Sequence, residues 1–214
     1  MTSFICTPSS SVTGSIRVPG DKSMSHRSIM LSSIARGTSE ITGFLHGEDS
    51  LNTLKAFQAM GVNIQQNDSK IIVDGVGLDG LTRPEVPLDM GNSGTAMRLL
   101  VGLLCGQKFD STLIGDESLS GRPMKRVINP VTDMGAIIES NESGTAPLKI
   151  CGQQNLKSIR YELPVASAQV KSCVLLAGLY ANGIQKWWSR RLLAIILNEC
   201  CVVLVVKLKP GAIK

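Results

Sequence analysis

Lys22, Ser23, Ser25 and Arg27 crowd into one short stretch, directly after the turn Val18-Pro19-Gly20 and before the apolar segment 28–35. A Pro-Gly turn followed by short polar residues is where a helix begins. A helix N-terminus presents free backbone N–H groups and the positive end of its dipole. Two cations and two hydroxyls at such a start make a pocket for an anion, most simply phosphate or carboxylate. The same residues would equally serve as an N-cap with two solvated cations. His26, set among them, reads as a hydrogen-bonding structural residue rather than a proton-transfer group.

The elements that must position these residues follow from the pattern around them. A strand at 15–18 leads into the Pro-Gly turn, and a helix over 25–35 closes at Arg36-Gly37. A strand at 39–45 follows. Gly47-Glu48-Asp49-Ser50 starts a second helix, with Glu48 and Asp49 capping it. Leu51, Leu54, Phe57 and Met60 give that helix an apolar stripe. Gly61 ends it, and strands at 62–64 and 70–73 are joined by a polar turn at 65–69. The unit is strand, helix, strand, helix, strand, strand.

The pattern then returns. Met90-Gly91-Asn92-Ser93-Gly94-Thr95 opens a helix over 96–105, a strand follows at 111–114, and Gly115-Asp116-Glu117 parallels Gly47-Glu48-Asp49. A helix from Met124 ends at Met134-Gly135, as its counterpart ended at Met60-Gly61, and strands follow at 136–138 and 148–150. Val165-Ala166-Ser167-Ala168-Gln169 begins a third copy. Self-similarity of this kind marks repeated supersecondary units. Each copy opens a helix with small polar residues, so three helix N-termini converge on one anionic site. Taken singly, Arg122 would serve as a solvated loop cation, Gly94 as a turn glycine and Gln169 as an exposed helix residue.

Composition narrows the function classes. Apolar residues make up 43% of the 214-residue chain, an ordinary globular share, while aromatics are only 4%. The core must therefore be built from Leu, Ile, Val, Met and Ala. A net charge of +5 suits acidic small molecules. No basic run with interleaved aromatics argues for nucleic acid. Cys6, Cys105, Cys151, Cys173, Cys200 and Cys201 form no CxxC pair and read as reduced, mostly buried thiols of a cytoplasmic protein, not a metal site. The first eleven residues lack the apolar run of a secretory leader.

Four motifs carry a resemblance. Gly20-Asp21-Lys22-Ser23-Met24-Ser25-His26-Arg27, Gly91-Asn92-Ser93-Gly94-Thr95-Ala96-Met97-Arg98, Arg122-Pro123-Met124 and Ala166-Ser167-Ala168-Gln169-Val170-Lys171-Ser172 resemble, in order and spacing, the 5-enolpyruvylshikimate-3-phosphate synthase family. This family is also called 3-phosphoshikimate 1-carboxyvinyltransferase. The resemblance spans about residues 10–186. It implies an α/β protein of repeated βαβαββ units, the enolpyruvyl transferase fold, with a cleft between two domains. Residues 1–18 would hold a strand of the second domain, which is missing here, and 19–185 two repeats and part of a third. It implies transfer of the enolpyruvyl group of phosphoenolpyruvate to the 5-hydroxyl of shikimate-3-phosphate, with loss of phosphate, on the route to chorismate and the aromatic amino acids. No metal or organic cofactor is implied, nor nucleic acid or membrane as partner, and the family is usually monomeric.

Residue by residue, the resemblance assigns Lys22 to both substrates. Ser23, Arg27, Ser167, Ala168 and Gln169 fall to shikimate-3-phosphate, and Gly94, Arg122 and again Gln169 to phosphoenolpyruvate. The acid/base groups, an Asp and a Glu-Lys pair in the family, belong to the second domain and have no counterpart here. The sister transferase acting on UDP-N-acetylglucosamine has Lys-Asn in place of Lys22-Ser23 and lacks the Ser25-His26-Arg27 continuation. A non-catalytic phosphosugar-binding fragment is the reading from another class.

After Lys186 the pattern breaks. Trp187-Trp188 must be encoded TGG TGG, and one added G, read on through Ser189 into Arg190, permits Val-Val-Glu-Ser. In the same shifted frame, codons for Ala194 through Cys201 permit Arg-Asp-His-Thr-Glu-Arg-Met-Leu, the family's own word at this place. Residues 186–214 therefore read as an out-of-frame tail produced by loss of one base, and the chain as written is expected to be inactive. The apolar runs 192–197 and 202–206 would otherwise be a helix and a strand. They are interrupted and short for a membrane span of about 20 residues, and 200–206 is an aggregation liability.

Overall fold

The computed structural model describes residues 5, 7, 8, 10–67, 70–152 and 155–188. The apolar runs 192–197 and 202–206, with the aggregation-prone 200–206, lie outside them.

The chain runs through three successive units. The first comprises α1 (Lys22–Ile34), β1 (Arg36–Thr42), α2 (Glu48–Ala59), β2 (Asn63–Asn67) and β3 (Lys70–Val76). The second comprises β4 (Leu88–Asp89), α3 (Gly94–Leu104), β5 (Ser111–Ile114), α4 (Glu117–Ser120), α5 (Lys125–Asp133), β6 (Ile138–Glu139) and β7 (Leu148–Ile150). The third holds β8 (Arg160–Glu162), α6 (Ala168–Gly178) and β9 (Lys186–Trp188).

The sheets repeat with the units. The first has strand order β1-β3-β2, the second β4-β5-β7-β6. β1 and β2 both pair antiparallel to β3, as β5 and β6 pair antiparallel to β7. β4 adds in parallel beside β5, and β8 lies parallel to β9 in the same βαβ relation. The outer helices of the first two units end alike, at Gly61 and Gly135. Both glycines have positive φ, at 87° and 101°, which a residue with a Cβ rarely adopts.

α3 lies at the centre. Ala96, Met97, Leu99, Leu100, Val101, Leu103 and Leu104 are all fully buried. A helix apolar on most of its faces must be covered on most of them, and only Thr95 and Arg98 are left half-buried. It packs against α6 closely enough that a Cβ at Gly102 would collide with the backbone carbonyl of Cys173. Cys105 and Cys173 are buried free thiols, and Cys151 is half-buried. Burial pushes the Cys105 thiol up to about 12 and raises Cys173 well above its ordinary value.

Several local expectations are corrected. Residues 15–18 form no strand, and Ile16 and Val18 are exposed. A lone strand without a pairing edge has no ladder to stabilise it. α1 starts three residues before Ser25, because the Asp21 carboxylate accepts the Met24 N–H at 2.7 Å and sets the cap there. Arg36-Gly37 opens β1 rather than closing α1, since both residues pair along β3. Residues 65–67, expected in a turn, extend β2 against β3, so backbone pairing overrides their polar side chains. Glu48 and Asp49 sit in the first turn of α2, whose cap is Gly47. The strand expected at 136–138 is β6, a residue or two further on, and α4 was not anticipated. β9 carries regular pairing past residue 186: Tyr161 faces Trp187 and Glu162 faces Trp188 in the ladder.

Replacing Gly102 with alanine forces α3 away from α6 against rigid backbone on both sides. We expect a loss of about 1–3 kcal/mol, read as a lower urea midpoint. An unchanged midpoint would mean the two helices are not in contact at this level.

Candidate anion site at three helix starts

The N-termini of α1, α3 and α6 are each closed by their own side chain. Asp21 caps α1. Ser93 Oγ accepts from Ala96 N at 3.2 Å on α3, and Ser167 Oγ accepts from Val170 N at 3.4 Å on α6. These caps leave the dipole ends positive and still hydrogen-bonding.

Side chains then bind the three starts to one another. Between α1 and α3, the two ring nitrogens of His26 reach Thr53 Oγ1 at 2.7 Å and Ser93 Oγ at 3.3 Å. Between α1 and α6, Arg27 donates to Ser172 Oγ at 3.0 Å and also to its own helix at the Ser23 carbonyl, 3.1 Å. Between α3 and α6, Arg98 donates to Gln169 Oε1 at 2.8 Å, and Gln169 donates to Thr95 Oγ1 at 3.0 Å. The three bridges close a ring.

The cations stand around this ring. Lys22, in the first turn of α1, pairs with Asp49 in the first turn of α2 at 2.7 Å, with the lysine side chain about half exposed. Arg122 donates to Asn92 Oδ1 at 2.5 Å, to the Asn92 carbonyl at 3.3 Å and to Ser118 Oγ at 3.3 Å. Asn92 in turn donates to Asp116 Oδ2 at 2.7 Å. That bond, the Leu119 backbone N–H and the nearby Arg122 charge hold the Asp116 carboxyl below its ordinary value. Arg98 reaches across to the Pro123 carbonyl at 3.3 Å, so it touches the Arg122 loop as well as α6. Burial lowers Arg98 from its ordinary value, and the positive charges of Arg122 and Arg126 lower it further. Three guanidiniums therefore share one region without mutual neutralisation.

Gly94 lies where these side chains meet. A Cβ there would stand 3.0 Å from Arg98 Nη1 and 3.3 Å from Arg122 Nη1. Its lack of a side chain leaves that space to the guanidiniums. Among the residues expected from sequence, Arg27, Gly94, Arg122 and Gln169 are joined through the ring and its Arg98 link. Lys22 joins through α2. Ser23 takes part through its carbonyl, while Ser167 and the half-buried Ala168 stand at the α6 start. Arg27 is only 6% exposed, so it faces the site from beneath rather than reaching out.

Sequence reasoning passed over Arg98, Asn92 and Ser172, which do much of the bridging. Arg98 was legible in part: it lies four residues beyond Gly94, one helical turn on the same face. Among the described residues, no cluster of His, Cys, Asp and Glu could hold a metal ion.

Repeated α/β units whose inner helices start beside one cationic patch define the class of the protein. The chain belongs to the EPSP synthase (3-phosphoshikimate 1-carboxyvinyltransferase) family, whose model matches residues 6–193. It is 63% identical over 183 residues to the 3-phosphoshikimate 1-carboxyvinyltransferase of Ruthia magnifica subsp. Calyptogena magnifica, covering 86% of this chain and 42% of that protein. It is 64% identical over 181 residues to the protein of the same name from Hydrogenovibrio crunogenus, covering 84% and 41%. The solved EPSP synthase of Acinetobacter baumannii superposes with a TM-score of 0.82 at 54% identity, over 85% of this chain and 41% of that one. The fold is therefore that of the enolpyruvyl transferases. The chain spans about two-fifths of the length of the curated relatives it matches.

His26 makes the stability of this region depend on pH. Burial, assisted by Lys22 and Arg27 and opposed by Asp49, lowers it from 6.5 to about 4. The unfolded chain takes up a proton near 6.5 while the folded one does not. Stability is thus full above about pH 6.5 and falls as pH drops toward 4, by up to about 3 kcal/mol from this group. Denaturant titrations of the wild type and His26→Asn at stepped pH check this: the acid-side slope should be smaller in the variant.

Proposed function

We propose that these residues form the first-domain wall of an active site that transfers the carboxyvinyl group of phosphoenolpyruvate to the 5-hydroxyl of shikimate-3-phosphate. The observation that carries the reading is the ring joining three helix N-termini beside Lys22, Arg98 and Arg122. The names of the relatives support the same reading.

In this reading Ser167, with the open backbone of Ala168, receives the phosphate of shikimate-3-phosphate at the start of α6. Ser23, Arg27 and Gln169 hold the ring carboxylate and hydroxyls. Arg122 offers a planar fork to an anionic group of phosphoenolpyruvate, while the bare Gly94 backbone admits it closely. Gln169 and Lys22 lie between the two substrates. The 5-hydroxyl oxygen bonds to C2 of phosphoenolpyruvate, its proton leaves, and C3 gains one, giving a tetrahedral adduct. Loss of a proton from C3 then expels phosphate and restores the double bond. In the family the groups that move these protons stand on the second domain, within the three-fifths of the relatives not spanned here.

The domain arrangement belongs to the same proposal. Residues 19–185 form the first domain, 1–18 pair with the second, and the frame is lost by one base near the Lys186 codon. That the family match stops at residue 193 supports a break in this region. Among the described residues no helix is long and apolar enough to cross a membrane. A cytoplasmic monomer fits the reading.

Calorimetry with shikimate-3-phosphate tests binding directly, with a UDP-amino sugar as the contrasting ligand. We expect weak binding of the first and none of the second. Lys22→Ala in the frame-restored protein should weaken binding of both substrates about ten- to a hundredfold, the value of a charge-assisted hydrogen bond. Unchanged affinities would remove Lys22 from the site.

Assayed alone, the 214-residue chain is expected to give no carboxyvinyl transfer, since acid/base groups contribute on the order of 10²–10⁴ in rate. Reinserting one base near the Lys186 codon, with the downstream gene present, should restore turnover. Steady-state turnover by the short chain would overturn the proposal.

A further inference from the structure

His26 has no part in the anion chemistry above, yet it is fully buried on α1 between α2 and α3. The direction of its hydrogen bonds follows from its neighbours. Thr53 Oγ1 donates to the Asp49 carbonyl at 3.3 Å, so it is left to accept from His26 Nδ1. Ser93 Oγ accepts from Ala96 N at 3.2 Å, so its own hydrogen is left for His26 Nε2. The chain runs one way, from Ala96 N–H through Ser93, His26 and Thr53 to the Asp49 carbonyl. It ends at the residue that holds Lys22 and begins within the first turn of the helix that starts at Gly94.

We propose that His26 is a positioning residue: as the neutral Nδ1–H tautomer it ties Thr53, in the second turn of α2, and Ser93, the cap of α3, to α1, and so fixes Asp49 and Lys22 relative to Gly94 and Thr95. The inference rests on the reading of the site given under Proposed function. A proton on Nε2 would force the Ser93 hydroxyl to accept, leaving its hydrogen without an acceptor in a residue only 2% exposed. The charged groups facing the ring are Asp49 on α2 and Lys22 and Arg27 on α1. The carboxylate favours protonation and the two cations oppose it. Burial and the two cations outweigh the carboxylate and keep the ring neutral down to about 4.

The test begins with the full 214-residue chain labelled with ¹⁵N. Long-range proton–nitrogen correlation at neutral pH should show hydrogen on Nδ1 and none on Nε2. The opposite tautomer, or a rapidly exchanging pair, overturns the proposal. On acidification the backbone amides of Asp49, Gly94 and Thr95 should shift with the same midpoint as the His26 ring. Amides that ignore that midpoint overturn it as well.

Calorimetry with shikimate-3-phosphate then compares wild type, His26→Leu and His26→Gln. Leu should weaken binding about tenfold, near the value of one hydrogen bond, and Gln, which keeps a donor and an acceptor, should recover part of the loss. Equal affinity of wild type and Leu overturns the positioning role. Wild type that binds no shikimate-3-phosphate while showing the tautomer and coupled titration overturns the functional reading and leaves the clamp standing. If either variant fails to fold, the wild-type titration decides.

Discussion

Three like poles held together set the terms for the rest of this structure. The starts of α1, α3 and α6 each carry partial positive charge, and Lys22, Arg27, Arg98 and Arg122 add full charges beside them. Such a grouping repels itself unless something offsets it. Neutral acceptors supply part of the offset: Gln169 and the Pro123 carbonyl for Arg98, Asn92 for Arg122, Ser172 and the Ser23 carbonyl for Arg27. Asp49 supplies a full charge to Lys22. The remaining imbalance leaves the patch positive, which is the feature the proposed site rests on.

The apolar framework makes that grouping affordable. α3 is buried along most of its surface and touches α6 backbone to backbone at Gly102 and Cys173. With these two axes locked, Thr95, Arg98 and Gln169 meet at fixed distances. The repeat supplies the rest: in the second and third units the inner helix follows a strand, and parallel pairing of β4 with β5 and of β8 with β9 sets the same crossover twice.

Much of this was legible in the residues. Small polar residues before apolar runs announced the helix starts, and the glycines Gly61 and Gly135 announced the stops. The convergence of three starts followed from the internal repeat. What escaped did so for physical reasons. The side-chain cap at Asp21 and the Gly47 cap, which has no side chain to bond, depend on backbone geometry that residue type alone leaves open. Residues 65–67 look like a turn and become strand because β3 offers them a ladder. Residues 15–18 look like strand and find no partner. Arg98, Asn92 and Ser172 escaped because their roles depend on elements up to 145 positions apart in sequence, as between Arg27 and Ser172. Short-range pattern cannot encode that meeting.

The buried thiols beside the α3–α6 contact have a practical corollary. Cys105 and Cys173 are fully covered and held as thiols by that burial, whereas Cys151 is half-buried. The reactive species toward an alkylating reagent is the thiolate. The two central cysteines are therefore silent until the helices part, and each alkylation event at either one records an opening of the central layer. The molecule carries its own clock for breathing, written into two side chains whose ordinary work is to fill space.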